Sequence, residues 1–174
     1  MRKPVVSLLV ALLFFGSCAM LQSVVKGTFP YTANMVIPAS AKVDEPLTAI
    51  STGNSFDQDF TKDGNNASRI NEVRVISAKL QSSDPSDYNI GNIASVRIYM
   101  AKSDGSDEVM VAIRKDITVN AGNSIVLDID NSHFLDALVR QPSVRIRMVY
   151  RLRKAVDTDV SLKVSLGIGS NPAN

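Results

Sequence analysis

The sequence predicts an all-β, antiparallel two-layer β-sandwich with one or two short helical turns, and three observations lead there. Apolar residues recur with a period of two in one segment after another, the mark of strands that cover one face. The opposite parity of each segment is polar, as in antiparallel sheets with one wet side; parallel strands are usually apolar on both. Clusters of Asp, Gly, Ser and Asn separate the segments at fairly regular spacing, so that about seven to nine short strands fit the chain.

Taken in order, Phe29, Tyr31, Ala33, Met35 and Ile37 alternate with Thr28, Pro30, Thr32 and Asn34. Pro30 has no amide hydrogen to give a ladder, so it belongs at an edge or near the beginning of its strand. Leu47 to Thr52 is a shorter strand, and Phe56 to Phe60 a weaker candidate. Val73 to Ser82 changes parity between Val75 and Ile76. A bulge there would turn Val73, Val75, Ile76, Ala78 and Leu80 inward along one bent strand. Ile93 to Met100 and Val109 to Ile113 follow, joined by the turn-forming run Lys102-Ser103-Asp104-Gly105-Ser106-Asp107.

Ile125, Leu127 and Ile129 alternate with Ser124, Val126 and Asp128. Val144, Ile146, Met148, Tyr150 and Leu152 alternate with arginines, and Val160, Leu162, Val164, Leu166 and Ile168 with Asp159, Ser161, Lys163 and Ser165. The short link from Lys154 to Thr158 predicts that these last two strands form a hairpin. Asn131 or Ser132 is placed to cap a short helix with Phe134, Leu135 and Leu138 on one face, ended by Pro142. Asn65 to Glu72 is expected to hold a second helical turn. A closed barrel is the competing architecture; short strands with wet outer faces favour the sandwich.

Length and composition set the frame. The chain has 174 residues, 45% hydrophobic and 21% charged, which suits one globular domain and excludes a disordered or collagen-like chain. One Cys cannot form an internal disulfide, and one His cannot build a site of paired histidines. No apolar run reaches the ~18 residues of an ordinary membrane-spanning helix.

The beginning of the chain is an address. Arg2 and Lys3 precede an apolar run from Val5 to Phe15 that only Ser7 interrupts, and small residues follow. Phe15-Gly16-Ser17-Cys18 resembles the lipobox of bacterial lipoproteins, with Phe15 where that family usually has Leu. The resemblance covers the first eighteen residues. It implies that 1–17 is a removed signal peptide and that Cys18 becomes a diacylated N-terminus holding the protein on a membrane, several acyl chains being needed for a stable anchor. Ala19, in place of an Asp, leans toward the outer membrane. Residues 18–27 then form a tether, 28–170 the sandwich domain and 171–174 a tail. With Arg2 and Lys3 removed, the 19 basic residues become 17 against 17 acidic, so no basic excess points to nucleic acid.

The series from the bent strand through Ile93-Ala94-Ser95-Val96-Arg97-Ile98-Tyr99 to Val109-Met110-Val111-Ala112 is similar to small lipid-anchored, immunoglobulin-like β-sandwich proteins of bacterial envelopes. That likeness lies in strand order and carries no functional residues.

Few residues offer chemistry. His133 lies near Ser132 and Asp136, yet no nucleophile elbow accompanies them, and a helix-start histidine is the expected role. Zinc would need three or four ligands from one His and scattered acids, Cys18 being assigned to the anchor. Asp104-Gly105-Ser106-Asp107-Glu108 and Asp57-Gln58-Asp59 gather carboxylates without the spacing of a calcium loop, and turn formation explains them. Gly167-Ile168-Gly169 has no helix after it to hold a phosphate. No catalytic residue, metal or cofactor is expected.

Arg145, Arg147, Arg151 and Arg153 share one parity, with Lys163 on the expected partner strand and Lys154 just beyond. The plainer expectation is a solvated sheet face balanced by cross-strand acids. The sharper one is an anion-facing patch, since guanidinium groups pair in two-pronged fashion with carboxylate and phosphate. Tyr88 and Tyr99 are the only aromatics set apart for sugar stacking. The chain therefore reads as a lipid-anchored envelope protein with a binding or structural role, meeting an envelope protein or glycan. The alternative is an accessory lipoprotein that binds carbohydrate or a polyanion.

Overall fold

The structure, a computed structural model, describes residues 28–55, 70–141 and 143–172. Cys18, the tether at 18–27, the strand expected at Phe56 to Phe60 and residues 65–69 of the second helical turn lie outside these. Among the described residues nine strands form: β1 (Thr28–Ile37), β2 (Pro46–Ser55), β3 (Ile70–Asp84), β4 (Ile93–Lys102), β5 (Val109–Arg114), β6 (Ser124–Val126), β7 (Asp128–Ile129), β8 (Val144–Leu152) and β9 (Val160–Pro172). A 3-10 turn at Ile90–Asn92 and one helical turn, α1 (Asp136–Val139), complete the described elements.

The strands pair in the order β6-β3-β9-β1-β2-β8-β4-β5-β7, every pair antiparallel. The ladder folds over at β1–β2, where only Tyr31–Ser55 and Thr32–Asn54 are in register. Layers of four (β6-β3-β9-β1) and five (β2-β8-β4-β5-β7) strands then face each other, giving the sandwich. At the opposite side the chain itself passes between layers at Leu127. β6 pairs with β3, β7 pairs with β5, and Leu127 between them is 2% exposed and donates its amide to the carbonyl of Ala78. The run that reads as one strand from Ser124 to Ile129 is thus two, one in each layer. Ile129 is 39% exposed despite its apolar parity.

The core lies between the layers. Met35, Ile37, Leu80 and Leu162 come from the four-stranded layer, and Ile98, Met100, Ile146, Met148 and Leu152 from the five-stranded one, all at most 1% exposed. Burying such a side chain contributes roughly 1.5–3 kcal/mol, and this is what makes the period of two decisive in β4, β8 and β9.

Several expectations are corrected. β8 and β9 do not form a hairpin: β8 pairs with β2 and β4, and β9 with β1 and β3. The link from Lys154 to Thr158 is an arch that carries the chain to the other layer, because the apolar faces of both strands are buried better by facing than by adjacency. The parity slip in β3 is indeed a bulge, with Val75 opposite Ile168 and Ser77 opposite Gly167. Ile76, however, is the extra residue and turns outward, 50% exposed. Its side chain lies over Gly169, where a Cβ would come within 2.8 Å of Cγ2. β3 begins at Ile70, so Ile70, Asn71 and Glu72 are strand and not helix. β9 runs to Pro172, two residues into the expected tail, and Gly167-Ile168-Gly169 lies inside it.

The helical turn is later than expected. Asp130 accepts from the amide and hydroxyl of Ser132, which makes a local turn, and α1 begins at Asp136 with no side-chain cap. Leu135 and Leu138 are buried, whereas Phe134 is 52% exposed and lies beneath the Arg74 guanidinium, 4.1 Å from its centroid.

Candidate functional site

The outer face of the five-stranded layer gathers cationic side chains. β8 sits between β2 and β4, and its outward residues are Arg145, Arg147, Val149 and Arg151. The residue pairs that flank them are Thr52 and Ala101, Ile50 and Tyr99, Thr48 and Arg97, and Pro46 and Ser95. No flanking position is acidic. The acid that balances this face comes instead from Glu108, beside the start of β5, and Arg97 joins the row as a fourth cation.

Each arginine has its own setting. Arg147 donates through Nε to Glu108 Oε1 at 2.7 Å and through Nη2 to Oε2, and its guanidinium lies 4.2 Å from the Tyr99 ring centroid. Hydrogen bonding to Arg147 holds the Glu108 carboxyl below the usual carboxylate range, and the same bonds raise Arg147. Tyr99 thereby has a face covered by a cation and offers no open platform for a sugar. Arg151 donates to the carbonyl of Asp44 at 2.7 Å. Arg145 reaches toward the β4–β5 turn at Gly105, and its buried Nε has no hydrogen-bond partner. Gly105 has φ +88°, which favours glycine, and a Cβ there would lie 2.5 Å from Arg145 Nη1, so the end of that side chain would have to shift. Arg97 is exposed. Among the described residues, Arg97, Arg145 and Arg151 form no ion pair.

Beside this row lies an open depression of about 330 Å³, lined by Ile50, Ser51, Thr52, Ser103, Val144 and Arg145. It puts hydroxyl groups next to the Arg145 guanidinium, which forms no direct ion pair among the described residues and lies near enough to the Glu108 carboxylate to help lower it, an arrangement able to receive an anionic group.

Two members of the expected patch stand elsewhere. Lys163 is on β9 in the opposite layer, between Asn34 and Gln81, and does not share a face with the arginines. Arg153 lies past the end of β8 and folds back, donating to the carbonyls of Gly91 at 3.0 Å and Ile93 at 3.1 Å. It fastens the 3-10 turn and belongs to the framework.

Other candidates do not assemble. His133 is exposed, the Ser132 hydroxyl donates to Asp130, and Asp136 Oδ2 accepts from the amide of Val73, so the three do not line up as nucleophile, base and orienter. Asp104 accepts from both the amide and hydroxyl of Ser106, which lowers its carboxyl, and Asp107 pairs with Lys102. Asp57-Gln58-Asp59 lies outside the described residues. Among the described residues no three His, Cys, Asp or Glu side chains come together as a metal site, and no helix is long and apolar enough to cross a membrane. Tyr88 is half-buried beside Asn92 and Lys154 in a smaller depression of about 180 Å³.

Neither a known family model nor any curated protein matches the chain.

Proposed function

We propose that this protein is a non-catalytic, lipid-anchored component of the bacterial cell envelope that binds an acidic glycan through the outer face of its five-stranded layer. Cys18 carries the anchor, residues 18–27 are the tether, and Ala19 favours the outer membrane. The observation that carries the binding role is the arginine row: Arg97, Arg145 and Arg151 share one sheet face with no acid paired to them. Unpaired guanidinium groups attract carboxylate, sulfate or phosphate, and a row of them matches the repeating charge of a polyanion better than a single compact ligand. The overall balance of charge in the mature chain argues against a general nucleic-acid role.

The test is binding of the full chain in detergent to acidic and neutral polysaccharides over a range of salt. Acidic polymers should bind, with affinity falling as salt rises, and Arg97→Ser/Arg145→Ser/Arg151→Ser should lose at least about tenfold, one charge-assisted contact being worth ~1.5–3 kcal/mol. Equal binding by the triple variant overturns the assignment of this face. Mass spectrometry of the mature chain tests the anchor: it should begin at a diacylated Cys18.

A further inference from the structure

The outer face of the four-stranded layer mixes unpaired cations with exposed aliphatic side chains. Its strands hold two carboxylates, Glu72 and Asp84, and both stand near the ends of β3. Between those ends Lys79 and Lys163 are exposed and are diagonal neighbours, Lys79 opposite Ser165 and Lys163 opposite Gln81. Their other register neighbours are Val126 beside Lys79 and Asn34 beside Lys163, so neither lysine has an acid next to it. Among the described residues neither forms an ion pair. On the same face Val126 is 71% exposed, Ile76 50% and Val36 49%.

The way the chain enters this layer bears on what the face meets. Thr28 opens β1 and lies in one row with Gly169 and Arg74. The ten residues 18–27 before it reach at most about 35 Å when fully extended, so a lipid on Cys18 holds this layer beside a bilayer. Within that reach a weak contact is enough, because the anchor makes docking intramolecular. Free ammonium groups suit anionic headgroups, and exposed aliphatic side chains suit the apolar level just beneath them. We propose that the outer face of the four-stranded layer docks on the anchoring membrane through Lys79, Lys163 and Val126, an inference that rests on the anchor at Cys18. The two outer faces of a sandwich point in opposite directions. Docking of this one therefore turns Arg97, Arg145 and Arg151 away from the bilayer, where a polymer can reach them.

The chain holds no Trp, so one introduced tryptophan reports its own surroundings. The protein carrying Val126→Trp, purified from its host membrane, is reconstituted into vesicles of equal parts phosphatidylcholine and phosphatidylglycerol with brominated acyl chains. Its fluorescence should be lost relative to the same vesicles without bromine. Ile50→Trp, at a site 55% exposed on the opposite outer face, should keep its signal. Vesicles of phosphatidylcholine alone, or Lys79→Gln/Lys163→Gln added to the Val126→Trp chain, should restore most of the lost fluorescence, and so should high salt. Equal quenching at the two positions, or quenching at Val126→Trp that the lysine substitutions leave unchanged, overturns the proposal. A Val126→Trp signal shielded from aqueous acrylamide yet untouched by bromine would show a protein covering this face, and overturns it as well. Mass spectrometry of the same preparations reads the anchor separately. Failure of the anchor shows as an unmodified Cys18, whereas failure of docking shows as unquenched Val126→Trp in a chain whose Cys18 is acylated.

Discussion

Arg147 and Glu108 meet edge to edge across the β8–β4–β5 surface, Nε to Oε1 at 2.7 Å, with the guanidinium resting on the Tyr99 ring. Among the described residues this is the one ion pair that the arginine row makes, and it ties β8 to the end of the β4–β5 turn. Its dependence on pH has a definite sign. The carboxyl of Glu108 lies below its ordinary value of 4.5 in the folded chain because Arg147 hydrogen-bonds the charged form. The pair therefore stabilises the fold fully above that ordinary value, and the contribution is lost as pH falls through the lowered one. Glu108→Gln should cost about 1 kcal/mol at pH 7. Urea denaturation of both proteins should show the difference shrinking steadily as the pH is taken below 4.5.

Gly105 and Arg145 should be coupled. Gly105→Ala places a Cβ against Nη1 at a backbone angle that disfavours it, and a loss of roughly 1–2 kcal/mol is expected. In the Arg145→Ala background the steric part disappears and only the backbone part remains. A double-mutant cycle by chemical denaturation would therefore show a coupling of at least ~0.5 kcal/mol.

Leu127 and Val126 are neighbours in sequence with opposite duties. Leu127 is 2% exposed where the chain changes layers, and Val126 is 71% exposed. Leu127→Ala should cost about 2–5 kcal/mol, whereas Val126→Ala should stay within ~0.5 kcal/mol. Thermal unfolding of the two variants separates them directly.

The arginines divide into framework and surface. Arg153→Ala removes a donor from the Gly91 and Ile93 carbonyls and should destabilise by about 1–3 kcal/mol without altering polyanion binding. Arg97→Ser should do the reverse, weakening binding and leaving the denaturation midpoint in place. Paired binding and unfolding curves on each variant check both halves.

Much of the architecture was legible because burial enforces parity. Every inward residue of β8, from Val144 to Leu152, is at most 3% exposed, and this period needs no knowledge of the partner strand. What parity does not contain is adjacency. The link from Lys154 to Thr158 is as suitable for an arch as for a hairpin, so parity alone puts Lys163 with the arginines, when it lies in the other layer, and does not show that Arg97 lies beside β8. Leu127 was unreadable for a related reason: a strand that changes layers keeps its alternation through the crossing. Ile76 misled because an apolar residue over Gly169 leaves the same trace in sequence as one in the core. The full length of β2 was hidden as well. Its inward positions Ala49, Ser51 and Gly53 are small, and its exposed Ile50 has the parity of the wet side.

The place of β9 has a consequence for how the chain matures. This strand, the last described, lies between β1, the first described, and β3, with Thr28 opposite Gly169. A nascent polypeptide that stops short of Val160 has no middle to its four-stranded layer, and β1 and β3 have nothing to join them. Contacts so remote along the chain make for slow folding, and loss of β9 would remove the centre of the four-stranded layer before its rim.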